Sequence, residues 1–560
     1  MRRAILSLLL TVAVLACAAP ASARGSGPVL PEVAVPLFPA TSSAEVPPGF
    51  RIDARRAIEV AKTSPTMRAI HRRFHPMRYR VYVWIHSHYE VFFSFGGKLV
   101  GDVLVGPWGR RWQTYTGPLI LGIYARGKYG DVFDSPWVLV SFGLMFLLPL
   151  VRLRGSSWLD LLDLGAVLSF FVSYGLFDHG HLELAVWLAY PPLLYLMCRM
   201  LIRGAGSRQP TSRLQAALST RVLVTGLIAL VAGRIAVTLI PAHVMDVAVA
   251  SLLGAGKILH GQSLYFASLG HPDTYGPVAY LAYVPFELIW SGVSWGYDPA
   301  ARAAAITFDL VTIGALVALG VRLRPGAGGR RLGLVMGWLW AACPFTVLGL
   351  VKSTNDGLVA MLLVLVVLAI NSPIRRGALL GLAAAAKFIP AILLPLMAAG
   401  RRDEVPRASL KVLAGFAVAA VGAVALFLPP GGIREIYDHT IGFQLTRADI
   451  FSIWALHPGL EPLKIALELG VAGLALALAA RPRAPRSTAQ VSALAAALVI
   501  AVQLPAVHWF YLYIVWFMPL VLIAVLAAEP PGTLTAPPPP AGEVPAPVDQ
   551  DPAGVLVGAA

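Results

Sequence analysis

Between Trp137 and Leu526 the sequence repeats one pattern: an apolar run, then a short polar turn, with arginines gathered in alternate turns. Runs of about 20 residues are what a lipid-crossing helix needs, because a helix satisfies its own backbone groups where no water can. Groups of arginine in these turns fall at 152 and 154, at 203, 208 and 213, at 322, 324, 330 and 331, at 375 and 376, and at 481, 483 and 486. Positive charge held on the inner side is the rule this spacing follows. It accounts for a formal net charge of +16, which in a soluble chain would point to nucleic acid. Nucleic acid is therefore set aside as a partner. With 57% hydrophobic and 13% charged residues, the length is spent on helices and not on several soluble domains. Cys17, Cys198 and Cys343 lie in apolar runs with neither disulfide nor zinc spacing, and read as small buried hydrophobes.

Both ends differ from this pattern. Arg2 and Arg3, the apolar stretch from Ala4 to Ala19 and Ala21-Ser22-Ala23 have the order of a secretory signal peptide over residues 1–23, with an uncleaved anchor as the alternative. Residues 24–135 are polar enough for a small extracytoplasmic α+β domain. Asp53 is placed to cap a short helix over Ala54–Ala61. The aromatic and β-branched stretches from Arg78 and from Tyr89 read as strands, with Gly96-Gly97 as a turn before a third from Lys98. This helix-and-hairpin order is similar to PepSY-type periplasmic modules. Residues 529–560, with Pro537–Pro540, read as a disordered cytoplasmic tail.

The expected fold is an all-α polytopic membrane protein of about eleven to thirteen transmembrane helices. A three-helix module occupies 136–213 and a larger core 214–528. Charge decides one ambiguous stretch. The segment Tyr275–Trp290 is apolar but carries two prolines, Glu287 and many aromatics. If it crossed, Arg322, Arg324, Arg330 and Arg331 would lie outside, against the rule, so it is read as interfacial. Residues 241–300 then form one large outer loop and 429–461 a second. Leu332–Val351 is read as one outward crossing, and Gly377–Gly400 as two short helices broken at Lys387-Phe-Ile-Pro390.

The ionisable residues gather at the outer rim. Asp246 follows the fourth crossing, at a depth where a charge is a functional hypothesis by default. A carboxylate there can act as general base on a sugar hydroxyl, or be a solvated helix-terminal Asp. Around it stand Gly254, Gly261-Gln-Ser-Leu-Tyr265 and Tyr275-Gly-Pro277. Further on come Ser353-Thr-Asn-Asp356 and Gly381-Leu-Ala-Ala-Ala-Ala-Lys387-Phe-Ile-Pro390.

In order and placement these pieces resemble the GT-C superfamily, most closely the bacterial glycosyltransferase-family-87-like transferases that use polyprenyl-phosphate sugars. The resemblance covers about Val222 to Leu526. It implies Asp246 as catalytic base and Asp356 as a second acidic residue acting on the acceptor or a metal. Lys387 would meet the lipid-linked phosphate, with Tyr265 and Tyr275 in the substrate-binding motifs. Snorkelling is the plainer account of Lys387, and a mutual ion pair that of Lys352 and Asp356. In the second loop Arg447 is placed to clamp the donor phosphate, or to pair with Asp449, and Trp454 to stack on a sugar. His508 begins an aromatic segment that is either substrate-binding or interfacial belt.

Asp178-His179-Gly-His181 lacks the further ligands a metal needs, and no cofactor is called for, though a divalent metal is compatible with the family. No Gly-rich nucleotide motif stands on an inner loop, which leaves a lipid-linked donor. The expected activity is transfer of a sugar, mannose being the commonest in the family, from polyprenyl phosphate to an envelope lipid, glycan or protein acceptor. The site would face outward from the plasma membrane. A transporter or lipid-linked-sugar flippase and a non-enzymatic scaffold are the alternatives. No internal repeat is visible and the ionisable residues are read as gathering at the outer rim, an expectation that speaks against transport.

Overall fold

The computed structural model describes residues 38–39, 44–47, 49–84, 88–95, 98–116, 136–150, 158–178, 181–206, 218–239, 244–265, 273–292, 298–399, 406–446, 451–480 and 486–528. The expected signal peptide, the Pro-rich tail, Arg447 and His179 fall outside these residues.

The N-terminal part is a five-stranded antiparallel meander, β1 (Phe38–Pro39), β2 (Arg78–Trp84), β3 (His88–Phe95), β4 (Lys98–Val105) and β5 (Arg111–Thr116), in sequential order. Two helices, α1 (Ala54–Lys62) and α2 (Pro65–Arg73), pack on one face. Asp53 caps α1, its carboxylate accepting from the Arg56 N–H at 2.7 Å. Ala54, Ala57 and Ala61 form the buried stripe that meets Val91 and Val103. The fifth strand, short and without apolar alternation, was not foreseen in the sequence.

The remaining described residues are mainly helical, and among them six helices are long and apolar enough to cross a membrane: Trp158–Phe177, Glu183–Ala205, Thr220–Leu239, Pro299–Leu323, Arg407–Leu426 and Glu461–Ala480. They lie within α4 (Trp158–Asp178), α5 (Leu182–Ala205), α6 (Thr220–Leu239), α10 (Pro299–Leu323), α16 (Pro406–Leu426) and α20 (Glu461–Ala480). The other expected crossings fall on shorter apolar helices, among them α3 (Pro136–Leu147), α13 (Asp356–Leu368), α21 (Thr488–Gln503) and α22 (Ile514–Leu526).

Burial sorts these helices. Every residue of α22 is buried, and nearly all of α21, so both run through the centre of the bundle. By contrast α16 and α20 expose most of their apolar surface, as helices facing lipid tails do.

Leu332–Val351 is not one straight crossing. It comprises the end of α11 (Gly326–Ala342) and all of α12 (Pro344–Val351), bent by 59°. Pro344 has no N–H to give the preceding turn, and it opens the new helix at its first position. Helix α12 is buried along its whole length and ends at the turn Lys352–Asn355.

The stretch read as the first outer loop begins with α7 (Asp246–Leu259), and, beyond residues 266–272, the segment read as interfacial folds as the short helices α8 (Pro277–Leu281) and α9 (Val284–Ile289). After α14 (Pro373–Ala386) the chain breaks at Lys387, passes through a 3-10 turn over Ile389–Leu393 and resumes as α15 (Leu394–Ala399).

Candidate active site

The ends of α7, α13 and α14 and the start of α22 converge on a cavity of about 490 Å³. Asp246, Tyr275, Asp356, Lys387, His508 and Trp516 all line it.

Asp246 is the first residue of α7, where its carboxylate lies at the positive end of the helix dipole and accepts from the Val247 N–H at 2.8 Å. The Met245 N–H donates to the Lys352 carbonyl at 3.0 Å, tying the start of α7 to the end of α12. Four residues on, Asp356 opens α13 and is 1% exposed. Its Oδ1 accepts from Lys387 Nζ at 2.6 Å and from Trp516 Nε1 at 2.9 Å. The cation paired with this carboxylate thus comes from the break after α14. Lys387 also lies 5.2 Å from the Tyr275 ring and 5.1 Å from the Trp516 ring, a sandwich that suits a desolvated ammonium.

Close backbone approach places Tyr275 there. The Gly276 N–H donates to the Ala386 carbonyl at 3.2 Å, and a Cβ on Gly276 would stand 2.1 Å from the Ala385 carbonyl oxygen. Only glycine fits. Gly254 does the same for Tyr280: a Cβ there would lie 2.2 Å from the ring, whose hydroxyl accepts from the Tyr275 N–H at 3.0 Å.

Tyr265 is not on the cavity wall. It is wholly buried at φ 66°, and its hydroxyl donates to the Tyr275 carbonyl at 2.9 Å. Burial, with the Asp273 carboxylate second, pushes its phenol up and keeps it a donor. Asp273 in turn accepts from the Tyr265 N–H at 2.8 Å and from Lys257 at 2.6 Å. Tyr265 therefore supports a wall residue from behind. Trp454 is likewise buried behind the wall, giving its indole N–H to the Leu504 carbonyl at 2.7 Å, so its face is not offered to a sugar in this arrangement. Arg447 lies outside the described residues.

His508 lies on the wall, edge-on to Phe451 at 5.5 Å and to Tyr513 at 5.9 Å. Tyr513 stacks on Trp516 at 4.4 Å. Tyr513 belongs to the aromatic segment read from His508, whereas sequence reasoning missed Trp516, Lys464 and Glu468, all cavity-lining. Trp516 sits in an apolar run where an indole reads as core. Lys464 and Glu468 on α20 had one usable signal: their spacing aims both at one helix face.

Among the described residues no three His, Cys, Asp or Glu side chains converge as metal ligands. Oδ1 of Asp356 is already engaged by two donors.

Fold and cavity together define a multi-pass helical membrane protein with a carboxylate-lined site among the ends of its helices. Residues 274–507 match the model of Glycosyltransferase family 87, which supports a GT-C-like membrane glycosyltransferase of that type. The match contains Asp356 and Lys387; Asp246 precedes it, and His508 and Trp516 follow it. No curated protein and no solved structure matches the chain.

Proposed function

We propose that the protein moves a sugar, on the outer face of the plasma membrane, from a polyprenyl-phosphate donor to a hydroxyl of an envelope lipid, glycan or protein. The observation that carries this reading is the meeting of Asp246 and the Lys387–Asp356 pair on one cavity that apolar side chains also line.

Asp246 takes the proton from the acceptor hydroxyl. The hydroxyl oxygen forms a bond to the anomeric carbon as the bond from that carbon to the phosphate oxygen breaks. Both electrons of the broken bond leave with the polyprenyl phosphate. Lys387 meets the charge that gathers there. Its ammonium has three donors, so it can keep Asp356 and still serve a phosphate oxygen. Asp356 and Trp516 hold it in place. Mannose is the sugar we would test first.

The protein in lipid nanodiscs, supplied with radiolabelled polyprenyl-phosphate mannose and an envelope lipid extract, should move label into a new product. Transfer from a nucleotide sugar with no lipid donor present would overturn the reading.

A further inference from the structure

The catalytic reading leaves several buried charged groups unused, and one pair stands inside two crossings, away from the outer rim where the ionisable residues were expected. Arg234, three quarters of the way along α6, is fully buried and pairs with Asp309 of α10 at 2.9 Å. Two buried charges are costly to desolvate, so such a pair calls for an explanation.

Its other bonds supply one. Arg234 Nη1 donates to the carbonyls of Trp340 at 3.2 Å and Ala341 at 2.7 Å. Both oxygens stand at the end of α11; in a continuous helix the Trp340 carbonyl would take the N–H of residue 344, and Pro344 has none. The Thr346 hydroxyl contributes there too, at 2.6 Å from the Trp340 carbonyl. Asp309 in turn accepts from the Trp340 indole N–H at 2.8 Å. The guanidinium thus holds the break between α11 and α12 in its 59° bend.

The far end of α12, about 12 Å along the axis at 1.5 Å per residue, carries the site. There the Lys352 carbonyl anchors Met245 beside Asp246, Asn355 donates to Ser251 of α7 at 3.0 Å, and Asp356 opens α13. One short rigid helix therefore sets the places of both carboxylates, and its angle is fixed at the Arg234 end. We infer that Arg234, with Asp309, is a positioning residue that sets the spacing of Asp246 and Asp356 through α12. The inference builds on the proposed function.

Two readouts separate them. A parent whose three native cysteines are replaced by alanine carries Ser251→Cys and Asn355→Cys, and its oxidative cross-linking reports the end of α12 without any substrate. Adding Arg234→Met with Asp309→Leu removes both charges together, an exchange that buried pairs often tolerate. Cross-linking should fall about tenfold. Without the cysteine pair, the same double variant should lose kcat by about ten- to a hundredfold with donor KM within about twofold, because misplacement costs the transition state most. Arg234→Lys keeps the charge but not the fork, and should lie between wild type and the double variant in both readouts.

Unchanged cross-linking in the double variant, or in Arg234→Lys where the double variant does not fold, overturns the inference. If wild type moves no sugar from polyprenyl-phosphate mannose, the proposed function fails there, and the cross-link still decides the role of Arg234.

Discussion

Lys387 and Asp356 meet at 2.6 Å from the ends of two different helices, with Trp516 donating to the same carboxylate oxygen from a third. The pair is nearly buried yet lines the cavity, so the proposed mechanism makes it matter to both packing and transfer.

This arrangement predicts an asymmetry. Lys387→Met leaves the Asp356 carboxylate buried without its cation and should destabilise by about 3 kcal/mol. Lys387→Met with Asp356→Leu removes both charges and should recover most of that loss. Thermal unfolding in detergent would show it, and neither variant should transfer sugar.

Trp516→Phe keeps a ring beside Lys387 and removes only the indole donor. A net hydrogen bond to a charged group contributes about 1.5–3 kcal/mol to stability, so thermal unfolding should show a loss of that order, and turnover should fall because Asp356 and Lys387 are held less firmly. The fold should hold, because the ring still stacks on Tyr513.

Gly276→Ala should abolish folding or activity, since its methyl group would stand 2.1 Å from the Ala385 carbonyl oxygen. Gly470→Ala on α20 meets nothing within 4 Å and should be silent. Membrane expression and turnover of the two variants, measured side by side, check the contrast.

The N-terminal domain should titrate through Asp102. Burial first, then the neighbouring Glu90, raise its carboxyl well above the ordinary value of 3.8. The folded domain thus holds a proton that the unfolded chain releases above that pH, so its stability falls as pH rises from 3.8 to the raised value. Asp102→Asn should remove this dependence, as read by the opening free energies of β3 and β4 from hydrogen exchange at several pH values.

Much of this was legible in the sequence, for reasons that differ by residue. Asp246 stood out because a charge at the end of a span is expensive, and Lys387 because it interrupts an apolar run. Asp53 was readable as a cap because capping is local. What the sequence did not show is non-local. The partner of Asp356 lies 31 residues away across a helix break, and Trp516 lies 160 residues from the carboxylate it holds. Trp454 looked like a stacking residue in a loop, but the fold turns it inward to the Leu504 carbonyl. The bend at Pro344 was hidden because its apolar flanks read as one continuous span, and what holds it, the Arg234 guanidinium and the Thr346 hydroxyl on the freed carbonyls, comes from the fold.

The most direct test of the whole account is the surface and lipid-linked glycan profile of a deletion strain carrying either wild type or Asp246→Asn at equal membrane levels. The account predicts that wild type restores a missing glycan and Asp246→Asn does not, with the unused polyprenyl-phosphate sugar accumulating. Restoration by Asp246→Asn at the wild-type level would contradict it, because the carboxylate assigned to take the acceptor proton would then be dispensable.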